Sequence, residues 1–171
     1  GEVPMTLEEA LKTAMQYETR IRDLYIESAE NTADPSGKQL FQSLADDEAN
    51  HLSYLESRLA EWRKHGKITL AALKSALPSA AAIVGNIKPL QERMAAEDRK
   101  DEKQMLSKAL HLEIETSRFY ATLVEELPGD GRELFSRFLA IEKEHADIVQ
   151  AQLDYLSHTG YWFDTKEFDM E

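Results

Sequence analysis

The sequence predicts an all-α protein, a four-helix bundle made of two antiparallel hairpins joined by a long crossover. Three observations carry that prediction. The strong helix formers Ala, Leu, Glu, Lys, Gln and Met dominate the 171 residues. Only seven Gly and five Pro interrupt the chain, and β-branched residues never alternate over the length of a strand. Apolar residues recur at spacings of three and four, the period of one helix face.

The first helix is predicted over 6–31. Thr6 stands as its N-cap with Glu9 three residues on, the pattern of a capping box. Asn31 to Gly37 reads as a turn broken by Pro35 and Gly37. The second helix is predicted over 38–65 and stops at Gly66. Residues 66–97 form the crossover, with a short helix expected at Leu70–Leu77. The third helix is predicted over 98–127 and the fourth over 132–159, separated by the sharp turn Leu127-Pro-Gly-Asp-Gly131. Helices of this length reach roughly 40 Å at 1.5 Å per residue. Short turns within hairpins and a long link between them give one bundle domain over 1–171 with a single crossover. On this reading the third helix starts at the same end as the first. An aromatic tail, Tyr161-Trp162-Phe163, is expected to cap the bundle end or to pack on a second subunit.

Charge and composition exclude several function classes. There are 32 Asp and Glu against 20 Lys and Arg, a net charge of −12. That balance disfavours a nucleic-acid or anionic-membrane partner, which needs clustered Lys and Arg. With no cysteine, disulfides, thiolate metal sites and cysteine nucleophiles are excluded. No apolar run approaches the ~18 residues of a membrane span, and no signal-peptide pattern opens the sequence. A soluble cytoplasmic protein is expected. Met94 and Met105 give no haem-binding signal, so no haem is expected.

The two hairpins carry a weak internal repeat. Glu18…Tyr25 matches Glu113…Tyr120, and Glu48-Ala-Asn-His51 matches Glu142-Lys-Glu-His145, at offsets of 94 or 95 residues. The inward stripe of the first helix reads Leu11, Ala14, Glu18, Ile21, Tyr25, and that of the third Leu106, Ala109, Glu113, Thr116, Tyr120. The second offers Leu44, Glu48, His51, Leu55 and the fourth Phe138, Glu142, His145, Val149. Six ionisable groups thus stand in apolar stripes: Glu18, Glu48, His51, Glu113, Glu142 and His145. They are expected to meet at one level of the core. Four buried carboxylates demand positive charge, since an unpaired buried ion costs several kcal/mol. Two divalent ions match four carboxylates in charge. A Glu from each of two helices with Glu-x-x-His from each of the others is a ligand set for two metals. Carboxylate and imidazole without sulfur suit iron or manganese.

Tyr25 and Tyr120 lie two turns from a ligand Glu on the same face. Their hydroxyls either hydrogen-bond a ligand carboxylate or are the polar tips of ordinary core aromatics. Asp46, Asp47, Glu144 and Asp147 flank the ligands and are read as solvated. His65, His111 and His158 are read as structural, and Glu92 to Lys103 as a solvated charge run.

On these motifs, spread over 6–160, the chain resembles the rubrerythrin-like branch of the ferritin-like superfamily. The resemblance implies two iron ions, with manganese as an alternative, bridged by Glu48 and Glu142. Glu18 and Glu113 would be terminal ligands, and His51 and His145 would complete the set. It also implies reaction with O2 or hydrogen peroxide, hence an oxidoreductase of ferroxidase or peroxidase type. The chain departs from the family twice. It has no rubredoxin domain, so electrons would come from an external donor protein or from ferrous iron. Thr116 stands where rubrerythrins carry a further carboxylate. The rival expectations are an iron-storage ferroxidase subunit and a helical interaction module with a structural metal site. A homo-oligomer, a dimer, is expected.

Overall fold

The computed structural model describes residues 4–70, 73 and 100–163. Among these residues it holds four helices and no strand: α1 Leu7–Glu30, α2 Pro35–His65, α3 Lys100–Glu126 and α4 Gly129–Thr159. α1 lies along α2, α3 along α4, and α1 also meets α3. No helix among the described residues is long and apolar enough to cross a membrane.

Local chemistry sets the helix ends. The Thr6 hydroxyl accepts from the Glu9 backbone N–H at 3.2 Å, the first half of the expected capping box. Its own hydrogen goes to Glu9 Oε1 at 3.0 Å. α2 and α4 both end on a glycine in the left-handed region, Gly66 at φ 67° and Gly160 at φ 74°, where a side chain would be strained.

Two helices begin earlier than the sequence predicts. α2 starts at Pro35, not at residue 38. Asp34 caps it by accepting from the N–H groups of Ser36 and Gly37, and Pro35 fills the first helical position, where its missing N–H costs nothing. α4 starts at Gly129, not at residue 132. Gly37, read as a breaker, and Gly131, read as the end of a sharp turn, are close-approach residues inside first turns. A Cβ on Gly37 would stand 2.6 Å from the Trp162 ring, and one on Gly131 would stand 3.2 Å from Leu7 Cδ1.

Helix direction follows from side-chain pairs. Glu8 at the start of α1 pairs with Arg63 at the end of α2 at 2.8 Å, and Tyr25 near the end of α1 meets Phe41 near the start of α2. Tyr17 stacks on Phe119 with centroids 4.7 Å apart, while Tyr25 reaches back to Glu113. α3 is therefore antiparallel to α1 and starts at the end where α1 finishes. This corrects the expectation that the two start together. α2 already returns the chain to the start of α1, so a link that traverses the bundle delivers α3 to the opposite end. Leu70 and Leu73 pack on the apolar cluster beside the start of α1. The rest of the short helix read at Leu70–Leu77, the remaining crossover to residue 97, Met94 and Asp98 lie outside the described residues.

The core has two apolar layers. One holds Leu11, Leu55, Leu123, Leu134 and Phe135. The other holds Ile21, Leu40, Phe41, Leu106 and Val149, and the tail residues Trp162 and Phe163 complete it. The tail thus caps this bundle end. Each fully buried large side chain contributes roughly 1.5–3 kcal/mol. Two such layers offset a polar level between them, where burial of each ionic group costs several kcal/mol.

Candidate metal centre

Every residue of the four inward stripes is 0% exposed, the six ionisable groups included. The 3–4 spacing carries them there, because Glu18 and Glu113 continue the apolar faces of α1 and α3, while Glu48–His51 and Glu142–His145 do so on α2 and α4. Their donor atoms form two groups, each with all its atoms within 4.8 Å of one another. One comprises Glu18, Glu48, His51 and Glu142, the other Glu48, Glu113, Glu142 and His145. Glu48 and Glu142 belong to both.

The contacts exchange between the hairpins. His51 Nδ1 lies 3.2 Å from Glu142 Oε1, and His145 Nδ1 lies 2.6 Å from Glu48 Oε1. The Tyr25 hydroxyl donates to Glu113 at 2.8 Å, and the Tyr120 hydroxyl donates to Glu18 at 2.6 Å. Each tyrosine hydroxyl therefore bonds the glutamate of the opposite hairpin, which decides between its two readings. Such pairwise exchange is the geometry of a two-fold axis, here internal and made by the repeat. The imidazole rings stack across it with centroids 5.6 Å apart and planes 9° from parallel.

One carboxylate departs from the sequence reading. Asp47, read as solvated, is 0% exposed. Its Oδ2 lies 2.6 Å from His145 Nε2 and 3.7 Å from His51 Nε2. It therefore sits behind both imidazoles, on the side away from the glutamates, where a carboxylate fixes ring orientation and tautomer. A signal was present in the sequence: Asp47 is three residues after Leu44 and four before His51, on the edge of the same stripe. Asp46, Glu144 and Asp147 are exposed as expected, and so are His65, His111 and His158. Thr116 is buried, and its hydroxyl donates to the Leu112 carbonyl at 2.8 Å, within its own helix.

Burial and mutual repulsion divide the carboxylates. Burial opposes the charge on Glu18, but hydrogen bonds from Glu48 and His51, the His51 charge and the Tyr120 hydroxyl outweigh it and hold Glu18 at about 2. Burial raises Glu48 to about 8, with the charges of Glu18 and Glu113 acting in the same direction. Glu113 and Glu142 are raised by burial too, Glu113 then by Glu142, and Glu142 then by Glu18 and Glu48. Burial disfavours charge on His51 and His145. The surrounding carboxylates reverse that and push both well above the ordinary histidine range, Glu142 foremost for His51 and Glu48 foremost for His145.

No hydrogen bond reaches Oε2 of Glu18, Glu48, Glu113 or Glu142. Buried oxygens left this way are costly, and a cation set among them would satisfy all four. The cluster could hold a metal ion. Comparison with family models, curated proteins and solved structures returns no match, so the reading rests on the residues themselves.

Proposed function

We propose that this chain is a two-metal redox protein of ferritin-like, rubrerythrin-related type. Its bundle would hold two iron ions, or two manganese ions, and use them to reduce O2 or hydrogen peroxide. The observation that carries the proposal is the pair of donor groups sharing Glu48 and Glu142. A single-ion site has no need of two half-sites with a common edge. Glu18 and His51 would complete one half and Glu113 and His145 the other, with Asp47 orienting the imidazoles. When bound, the two ions would exchange electrons between their reduced and oxidised states and present an open coordination position to the oxidant. The chain's own part is to exclude water with the two apolar layers, to hold the glutamates at one level, and to keep protons on Tyr25 and Tyr120, both raised above the ordinary tyrosine range by burial and then by the nearest glutamate.

The test is an anaerobic ferrous titration followed by air or peroxide. The reading expects two ions per chain, an oxo-bridged diferric absorbance after oxidation, and oxidant consumption above the blank. Binding without that absorbance would reduce the protein to a structural metal site. Size-exclusion chromatography separates a small oligomer from the large cage of a storage ferroxidase.

A further inference from the structure

The two imidazoles at the centre do not have equal support. His145 Nε2 lies 2.6 Å from Asp47 Oδ2, a hydrogen bond. The same oxygen is 3.7 Å from His51 Nε2, beyond hydrogen-bond reach. Among the described residues no hydrogen bond reaches that nitrogen, although His51 is 0% exposed. The two rings lie 9° from parallel, so ring tilt does not explain the difference. Asp47 stands one residue before Glu48, and the repeat puts Ile141 one residue before Glu142. The internal two-fold that sets position 47 against His145 sets position 141 against His51, and isoleucine offers no acceptor there. The His51 ring meets Phe138 edge-on instead, with centroids 5.4 Å apart.

Each imidazole belongs to one donor group only, His145 with Glu113 and His51 with Glu18. A carboxylate bonded to the far nitrogen of a ligating histidine fixes its tautomer and orientation and raises its basicity. An imidazole whose far nitrogen is buried and unpaired gains neither, and the unpaired group is itself a cost.

We infer that positions 47 and 141 set unequal metal affinities in the two half-sites. Asp47 strengthens the half that holds His145, and Ile141 leaves the half that holds His51 without that support. The inference rests on the two-metal reading above and adds the residues that tell the two ions apart. Both are positioning residues, since neither belongs to a donor group and each acts through an imidazole. Glu18 and Glu113 also differ in their surroundings, so only the same substitution compared in each half isolates what positions 47 and 141 add.

The test is calorimetric titration with manganous ion in proteins reduced to one central imidazole. His51→Ala keeps the donor group of Glu48, Glu113, Glu142 and His145, and His145→Ala keeps that of Glu18, Glu48, His51 and Glu142. Adding Asp47→Asn should weaken binding about 10–100-fold in the His51→Ala protein and leave the His145→Ala protein almost unchanged. Adding Ile141→Asp to the His145→Ala, Asp47→Asn protein should strengthen its binding by a similar factor, because a carboxylate then faces His51. A purely structural role for Asp47 would weaken both single-imidazole proteins alike, and that result overturns the inference. So does a folded His51→Ala protein that binds no manganese, or a folded Ile141→Asp protein that gains nothing. Circular dichroism and melting confirm that each variant is folded; should Ile141→Asp not fold, the Asp47→Asn contrast decides. The unsubstituted chain separates the two failures. Fewer than two ions bound there defeats the two-metal reading, whereas two ions together with equal weakening by Asp47→Asn defeats this inference alone.

Discussion

The two hairpins supply the same ionisable side chains but not the same electrostatics. Glu18 and Glu113 occupy equivalent positions, face each other across the internal two-fold and accept one tyrosine hydroxyl each. Yet Glu18 is held at about 2 while Glu113 is pushed well above the ordinary carboxylate range. Burial opposes charge at both positions; His51 and Glu48 beside Glu18 outweigh it there, whereas Glu142 adds to it at Glu113. Behind the imidazoles the halves differ in sequence as well. The first hairpin contributes Asp47, and the repeat places Ile141 at the equivalent position of the second. Duplication thus preserves the atoms that meet at the axis. Burial and mutual repulsion keep the charges of such a cluster unequal even where its atoms repeat.

The largest expected effect distinguishes shared from private ligands. Wild type should gain about 2.7 kcal/mol when free metal exceeds its dissociation constant a hundredfold, a rise of roughly 5–10 °C in melting temperature for a chain of this size. Glu48→Ala or Glu142→Ala should abolish that response, because each removes an edge common to both donor groups. Glu18→Ala and Glu113→Ala should each leave one ion per chain, which anaerobic titration counts. Equal stoichiometry in all four variants would break the distinction between bridging and terminal glutamates.

Asp47 sharpens the comparison next. Asp47→Asn should weaken metal binding by about 10–100-fold, the usual effect of removing a carboxylate behind ligating histidines. Ile141→Asn, at the equivalent place, should change affinity little. Calorimetric titration with manganous ion reads both.

The protonation pattern sets a pH dependence. Burial holds Glu48 at about 8, so it keeps its proton at neutral pH, and burial raises Glu113 and Glu142 in the same direction. A metal must displace that proton, so its apparent affinity should rise from pH 6 to pH 8. In the metal-free protein the sign is opposite. A carboxylate raised in the folded state favours folding below its unfolded value and loses that contribution as pH rises through its folded value; the raised histidines lose theirs in the same direction. Glu18, already charged in both states above pH 5, adds no slope there. The metal-free melting temperature should therefore fall between pH 5 and 8. A rise would contradict the assignment of protons.

Two smaller contrasts follow from the repeat. Tyr120→Phe removes a hydrogen bond to Glu18, the carboxylate held lowest, and should cost about 2 kcal/mol, whereas Tyr25→Phe removes one to Glu113, where burial opposes charge, and should cost about 1 kcal/mol. Gly37 and Gly131 are also 94 residues apart. Gly37→Ala meets a tryptophan ring and should cost about 1–3 kcal/mol, whereas Gly131→Ala meets only the end of Leu7 and should cost less. Chemical denaturation of the metal-free variants ranks both pairs.

Much of this was legible because the chemistry follows helix period. The 3–4 spacing placed all six ionisable groups inward without tertiary information, and the repeat doubled the signal. Three features were not. Residues near helix starts misled, since Pro35 and Gly37 read as breakers but sit in a first turn. Asp47 escaped because an acidic residue at the edge of a stripe looks solvated until the opposite hairpin's His145 covers it. The direction of α3, the crossed tyrosine pairs and the seat of Trp162 on Phe41 all depend on how two hairpins dock, which no local pattern encodes.

The most direct test of the two-metal claim is anomalous diffraction from crystals soaked in manganous ion. Two peaks per chain are predicted between Glu48 and Glu142, separated by roughly 3.5–4 Å as in two-metal sites, one beside His51 and the other beside His145. A bundle interior without peaks, with manganese bound only to surface carboxylates, would contradict the account.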